Sequence, residues 1–507
     1  MKELIEQLKQ ARKVATPLVV VGTYDPEVTL TTLRTLLNGK SPLLTWDCVD
    51  GVRERNELGQ AAMSAVNPEQ CFKPTGMLVQ ARELPAKTVL AMVHPHRFFD
   101  DPTVVEAIRQ LRDPFATNTR MLVLLCPEAS VPQELRQSVV TLNERLPTKE
   151  QLSSVAQVVY NDLREKNPAT PAPTEQDLTA AAQAMQGFGK FMASQVGYLG
   201  INFDTARVDI EAMWGVKRSL IAQVPGLSAV EPGLTFADIG GCGAAKEYML
   251  RRAAGKRRPA LIVMIDEIEK QMAGSGSGGD SSGVSTYIKG AILQAWQDYE
   301  WDGMLEPGPP GCSKSHFIKC CAAELKVPVF KMDLGATKGQ YVGVSEQNIN
   351  EALRTLHAIG GKDVFFMATC NDMQVVTADL RRRFRSGVWY FPLPGGDELD
   401  AIWGIHLTKR GLPLDMPRPD DTNYTGSDVE TVCERAWELE IDLKEAAEKY
   451  LTPVFKTNRE SILALEKLAA GRFLDANTGG LYNPSAGSRR QVRRVSSGRG
   501  LGAVANG

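Results

Sequence analysis

Three runs in the first third of the chain are apolar almost throughout: PLVVVGTY (17–24), TVLAMVHP (88–95) and RMLVLLCP (120–127). Such runs predict strands covered on both faces. The stretch PTVVEAIRQLRD (102–113) between them carries the helical spacing of an amphipathic helix. Buried strands alternating with helices imply an α/β unit with a mostly parallel sheet over residues 1–165. Its first strand is followed by GTYDPEVT, which has no glycine-rich phosphate loop and no lysine. A binding or structural domain is the expectation for this unit. His94 and His96 flank a strand end and receive no role.

The pattern changes at REKNPATPAPTEQD (164–177), where proline alternates with small residues. This predicts a linker or surface loop. A linker and helical region, 166–229, includes VDIEAMWGVKRSLIAQ. GLTFADIGG then opens a second α/β unit, 230–395. Its strands are expected at LIVMI, WDGMLEP and DVFFMATC, with a helix over SHFIKCCAAEL. Residues 396–475 read as helical, through DELDAIWGIHLTKRG and GSDVETVCERAWELEIDLKEAAEKY. The remainder, 476–507, contains SRRQVRRVSSGRG and has the composition of a disordered basic tail.

Composition narrows the function classes. A chain of 507 residues exceeds a single small core. Its net charge of −2 offers no general attraction for nucleic acid or acidic membranes. The arginine-rich tail alone motivates a nucleic-acid partner. Nine cysteines form no CxxC pair and there are five histidines. Structural zinc is therefore not expected, and a reducing interior is. The start, MKELIEQLKQARKV, is charged and amphipathic, unlike a secretory segment, and no run reaches membrane-spanning length. A cytoplasmic protein without membrane insertion is expected.

Four short elements in the second unit carry chemistry. GPPGCSKS (308–315) follows a predicted strand and opens a predicted helix, the setting of a phosphate-binding loop. Gly308 and Gly311 allow tight turns, and the helix start favours anions. Lys314 is placed to bridge the outer phosphates, and Ser315 to give its hydroxyl to magnesium. The usual pattern has glycine where this chain has Ser313. If that position is left-handed, serine costs about 1–2 kcal/mol. Glu306 is a carboxylate close to phosphate, repulsive unless turned away or paired. LIVMIDEIEK (261–270) delivers Asp266 and Glu267 at a strand end, suited to magnesium and to water activation. DVFFMATCNDM ends in Thr369 and Asn371, a hydroxyl and an amide in reach of water or phosphate. LRRRFRSG (380–387) supplies arginines that could face a neighbouring subunit. Any one alone is weak; an exposed acidic turn or a solvated basic turn explains it as well.

Together these stretches resemble the AAA+ ATPases, closest to the branch known as a conserved open reading frame of plastid and cyanobacterial genomes. The resemblance spans about residues 1–475 and rests on HPHRFFDDPTVVEAIRQLRD, LTFADIGGCGAAKEYMLRRA and VPVFKMDLGATKGQYVGVSEQNINEAL. It implies an AAA+ P-loop core of the α/β class with a helical lid, preceded by a degenerate α/β domain. By the same resemblance, the loop Gly308, Pro309, Pro310, Gly311, Cys312, Ser313, Lys314 and Ser315 is Walker A. Asp266 and Glu267 are Walker B, Asn371 is sensor 1, and Arg382 and Arg383 lie where arginine fingers stand. Asp238, Ile239 and Gly240 would run beside adenine, and Gly426 in TGSDVE would face the nucleotide from the lid. Tyr341 and Val342 match a pore loop that grips a polypeptide client, although Val344 replaces the usual acid. MAGSGSGGDSSGVST (272–286) matches a second pore loop.

The implied cofactors are ATP and Mg2+, the latter held by Ser315 and by Asp266 partly through water. The implied assembly is a homo-oligomer, often a ring. A protein-remodelling motor leads. A nucleotide-gated assembly protein with little hydrolysis and a DNA-directed loader are the alternatives. The order departs from the family: the Walker B strand precedes the Walker A strand, a permuted arrangement. Moving one strand–helix unit forward can keep the family's spatial order, 5-1-4-3-2. Rearranged members occur in bacteriophage-like genomes, so a phage-encoded protein in host cytoplasm is a corresponding expectation.

Overall fold

The computed structural model describes residues 2–484, apart from 128, 130, 203, 232, 273–283, 337–341 and 375. The chain forms two compact units, Met1–Tyr198 and Leu199–Gly507.

The first unit is built on six strands: β1 (Leu18–Gly22), β2 (Leu43–Asp47), β3 (Gly51–Glu54), β4 (Val89–Val93), β5 (Met121–Cys126) and β6 (Val140–Asn143). They lie in the order β3-β2-β4-β5-β1-β6. All neighbours are parallel except the β2–β3 hairpin. The expected apolar runs are β1, β4 and β5. Their alternate residues feed two cores: Leu18, Val20, Leu90 and Leu122 on one face, Val19, Val21, Ala91 and Val123 on the other. This is why the runs are apolar at every position rather than every second one. The helix Lys149–Lys166 packs against Glu175–Met185, and the proline-rich stretch bridges them. These helices belong to the first unit.

The second unit opens with a short hairpin of β7 (Ile201–Asn202) and β8 (Arg207–Val208). Its main sheet contains β9 (Leu227–Val230), β10 (Leu261–Ile265), β11 (Asp302–Pro307), β12 (Val329–Met332) and β13 (Val364–Cys370). The order is β11-β13-β10-β12-β9, parallel except for the edge strand β9. The strand ending before Asp266 thus sits between β12 and β13 although it comes first of the parallel strands in the chain. β14 (Trp389–Tyr390) runs beside β11 through Leu305 and Val388. A helical lid follows, with Asp397–Arg410, Gly426–Leu439 and Leu443–Tyr450 around Trp403, Val429 and Leu443.

The basic tail expected from residue 476 starts inside the fold. β15 (Leu474–Asp475) pairs with β14. Ala476 and Asn477 carbonyls accept from Ala245 and Ala244, and Tyr482 packs on Tyr390. An aromatic anchor and strand pairing outweigh the glycine-rich composition there. Residues 485–507 lie outside the described residues. Among the described residues no helix is long and apolar enough to cross a membrane.

Candidate functional site

The carboxyl ends of β10, β11 and β13 meet because the strands are parallel and in register. Ile265 pairs with Ala368, and Pro307 with Cys370. The residues that follow, Asp266, Gly308 and Asn371, are therefore forced together. Asp266 Oδ1 accepts from Ser315 Oγ at 2.9 Å and from Thr369 Oγ1 at 2.7 Å. Thr369 Oγ1 also accepts from the Glu267 amide at 2.8 Å. Lys314 Nζ donates to the carbonyls of Gly308 (2.8 Å) and Pro309 (2.7 Å) and to Asn371 Oδ1 (3.0 Å). The other end of that amide, Asn371 Nδ2, donates to Glu267 Oε1 at 3.1 Å. Lys314, Asn371 and Glu267 form one chain of bonds, and Ser315, Asp266 and Thr369 form another beside it. An all-oxygen pair such as Ser315 and Asp266 suits a hard divalent cation.

The loop between Pro307 and Lys314 is close-packed. A side chain at Gly308 would meet the Phe391 carbonyl at 2.5 Å. Gly311 has φ +78°, and a Cβ there would meet Thr425 Oγ1 at 2.7 Å. Ser313 adopts φ 57°, the left-handed region, so its expected cost applies. The lid reaches the loop directly, with the Ser427 amide donating to the Gly311 carbonyl at 3.2 Å. Thr425 and Asp428 cap the lid helix reciprocally. Gly240, Cys312, Ser313, Ile402 and Gly426 line a cleft beside the loop. Its free space is about 20 Å³, room for roughly one water molecule.

Glu306 lies on the Met304 face of β11, beneath the helix Lys314–Leu325. It is wholly buried, and neither carboxylate oxygen has a hydrogen-bond partner. Burial pushes its pKa well above the usual carboxylate range, against the pull of Lys314. Burial also lowers the Lys314 pKa. The three N–H groups of an ammonium are already matched by three acceptors, which favours the charged lysine but leaves no donor for Glu306.

Two contacts were missed in the sequence. Glu269, 6% exposed, accepts the Asn371 amide on Oε1 at 3.0 Å, while Oε2 is buried without a partner. Lys270 Nζ donates to both oxygens of Glu267 at 2.8 Å. The signal for Lys270 was its i,i+3 spacing from Glu267 on a helical turn.

Other expected residues stand apart from this network. Asp238 is exposed and caps Thr235. Ile239 is buried in the core, and its carbonyl accepts from Lys246 at 2.6 Å. Arg383 donates to Gln297 at 3.1 Å, and Arg382 sits at the end of Ala378–Arg381. Pro310 stays in the loop without a described polar contact. Tyr341 lies outside the described residues, as do the side chains of Val342 and Val344 and most of 272–286.

A parallel α/β core with a strand-to-helix loop, converging strand-end acids and a helical lid is an AAA+-like architecture with a non-canonical strand order. Family models agree: residues 1–144 match the SpoVK-like AAA ATPase N-terminal domain, and residues 304–367 match the ATPase family associated with various cellular activities. β10 lies before the second matched stretch. The particular relatives are proteins titled "Uncharacterized AAA domain-containing protein ycf46". That of Guillardia theta is 20% identical over 453 residues, covering 80% of each chain. That of Gracilaria tenuistipitata var. liui is 21% identical over 415 residues, covering 73% of this chain and 75% of its own. That of Pyropia yezoensis is 19% identical, covering 93% and 99%.

Proposed function

We propose that the second unit binds magnesium-ATP and hydrolyses its terminal phosphate, and that oligomers of the chain use the reaction to remodel a protein client. The observation that carries this reading is the bridge from Lys314 through Asn371 to Glu267, adjacent to Ser315 and Asp266. Lys314 supplies positive charge where phosphate charge develops. Glu267 accepts a proton from the attacking water, and Asn371 keeps that carboxylate and the lysine in fixed relation. Ser315 and Asp266 would hold magnesium, which when bound neutralises phosphate oxygens. Arg382 or Arg383 would serve a neighbouring protomer, and Tyr341 and Val342 would contact the client. The strand order supports a rearranged member in which one strand–helix unit moved ahead of the phosphate loop.

The 20 Å³ cleft cannot admit a nucleobase. Binding therefore requires the lid helix Gly426–Leu439 to draw back from Gly311. Nucleotide affinity and lid position are coupled in this reading.

Phosphate release and sedimentation, measured together with and without ATP, test it. Wild type turns over and assembles with nucleotide. Glu267→Gln binds ATP but turns over about 10²–10⁴-fold more slowly, and Lys314→Ala loses both binding and turnover. Wild-type rates in both variants reject the assignment. A second reading, a nucleotide-gated assembly protein with little hydrolysis, draws on Lys270 engaging Glu267 and on the strained Ser313. Tight ATP binding with negligible phosphate release at every protein concentration selects it.

A further inference from the structure

A second cavity, of about 400 Å³, lies wholly within the first unit. It opens outside the carboxyl ends of β1 and β6, which are neighbours in the sheet. From β1 the chain passes through Tyr24 and Asp25 into the helix Pro26–Leu37, towards β2 on the far side of β5 and β4. From β6 it passes through Glu144–Pro147 into the helix Lys149–Lys166. The two connections part, and the gap between them is where open parallel sheets take ligands. Gln151, Ser154, Val155 and Val158 form the third wall, from one face of that helix. Gly189 and Lys190, at the start of Lys190–Leu199, close the cavity beside Tyr24.

The walls are mainly apolar, through Val28, Leu146, Pro147, Val155 and Val158. Val158 is 53% exposed and Tyr24 63% exposed, so apolar surface is left in water here. Most polar lining groups are engaged. Asp25 accepts the Val28 amide at 3.2 Å. Glu144 accepts from the Thr23 hydroxyl at 2.5 Å and from Thr29 at 3.4 Å. Gln151 accepts the Thr148 amide, Ser154 donates to the Glu150 carbonyl, and Tyr24 and Arg145 also have partners. Lys190 is the one polar lining side chain among the described residues with no polar partner. It stands where helical amides favour negative charge. Phosphate is not the match: Asp25 already caps the helix after β1, and no lysine stands in the loop that leads to it.

We propose that this pocket binds a small amphipathic anion, an organic carboxylate or sulfonate whose apolar body rests on Val28, Leu146, Val155 and Val158 and whose charge meets Lys190. The size is that of ordinary small-ligand pockets. The assignment is independent of the nucleotide reading for the second unit.

The test titrates the full-length protein with anilinonaphthalene sulfonate, followed by fluorescence, with saturating magnesium-ATP present. Octanoate and octylammonium then compete as partners of equal length and opposite charge. Single-site binding displaced by octanoate and not by octylammonium is the expected result. Val155→Trp fills the cavity and abolishes it. Val158→Glu, at an exposed position, and Lys190→Glu each weaken it about tenfold or more, with circular-dichroism melting unchanged. The proposal is overturned if no saturable binding occurs, if Val155→Trp and Val158→Glu both leave it intact, if Lys190→Glu has no effect, or if octylammonium displaces the probe as well as octanoate does.

Discussion

Replacing Glu306 by glutamine removes a titrating group without changing its shape, and the consequence depends on pH in a way the structure dictates. The carboxyl is fully buried and both oxygens lack partners. Lys314 is near enough to attract it, yet its three N–H groups point to Gly308, Pro309 and Asn371. Asp266 adds repulsion, and the buried thiols of Cys321 and Cys242 nearby offer no positive charge. Desolvation outweighs attraction, so the folded protein keeps Glu306 protonated above its ordinary value of 4.5. The unfolded chain releases that proton at its ordinary value. Stability is therefore unaffected by this group below pH 4.5 and falls as pH rises towards the folded value.

The slope is 2.303RT per proton, about 1.4 kcal/mol per pH unit. With a urea dependence of about 3 kcal/mol/M, each unit changes the midpoint difference between variant and wild type by about 0.5 M. Tryptophan fluorescence is a suitable probe, since every tryptophan but Trp46 lies in the second unit. Urea titrations of wild type and Glu306→Gln across a pH series starting near 4 should show the variant gaining ground as pH rises above 4.5, the ordinary value of the glutamate. A constant difference across that range would mean that Glu306 is ionised and paired with Lys314, and would refute its protonation in the folded state.

Glu269→Ala should lower kcat about tenfold or more with little change in KM, because it frees the strand end that holds Asn371; Glu269→Gln, which keeps an acceptor, should recover most of the rate, and equal loss in both would assign Glu269 to folding alone. Gly311→Ala places a Cβ 2.7 Å from Thr425 Oγ1 at φ +78°, at a backbone cost of about 1–2 kcal/mol; urea unfolding should show a loss of stability of at least that size. Ser313→Gly relieves the left-handed serine and removes the hydroxyl near Gly426, so stopped-flow nucleotide association should speed up while stability rises by up to about 1–2 kcal/mol. Lys270→Ala releases Glu267 and should raise basal phosphate release modestly; a fall would show that Lys270 positions the glutamate rather than restraining it.

Strands β1, β4, β5, β10 and β13 were legible because burial on two faces leaves an uninterrupted apolar signature, as in MLVLLC of β5 and LIVMI of β10. The acid pair, the loop and Asn371 were legible for a different reason: each closes an apolar run, where a parallel sheet exposes its reactive edge. Several features were not legible. β2, β3, β6 and β9 are short, and β9 joins the edge antiparallel through Val230 and Leu227, a pairing that depends on distant residues. β15 was hidden in a stretch that reads as tail, because its partner β14 stands far earlier in the chain, before the whole helical lid. The contacts of Glu269 with Asn371 and of Ser427 with Gly311 join segments far apart in sequence, and no local spacing announces them.

The order of the strands along the chain has little bearing on the chemistry that the sheet can hold. What fixes the site is register: Ile265 opposite Ala368, and Pro307 opposite Cys370. Those pairings place Asp266, Gly308 and Asn371 at one edge whichever strand is made first. The connection from β10 to β11 has only to be long enough to cross β13, and the helix Val284–Asp298 lies within it. A one-residue slip of β10 against β13 would turn Asp266 to the opposite face and take Ser315 and Thr369 out of its reach. The buried apolar side chains of Ile262, Met264, Phe365 and Met367 on one face, and of Val263, Ile265, Phe366 and Ala368 on the other, oppose that slip. The packing of the sheet, rather than the succession of motifs, therefore holds the two bonded chains around Lys314 and Asp266 in place.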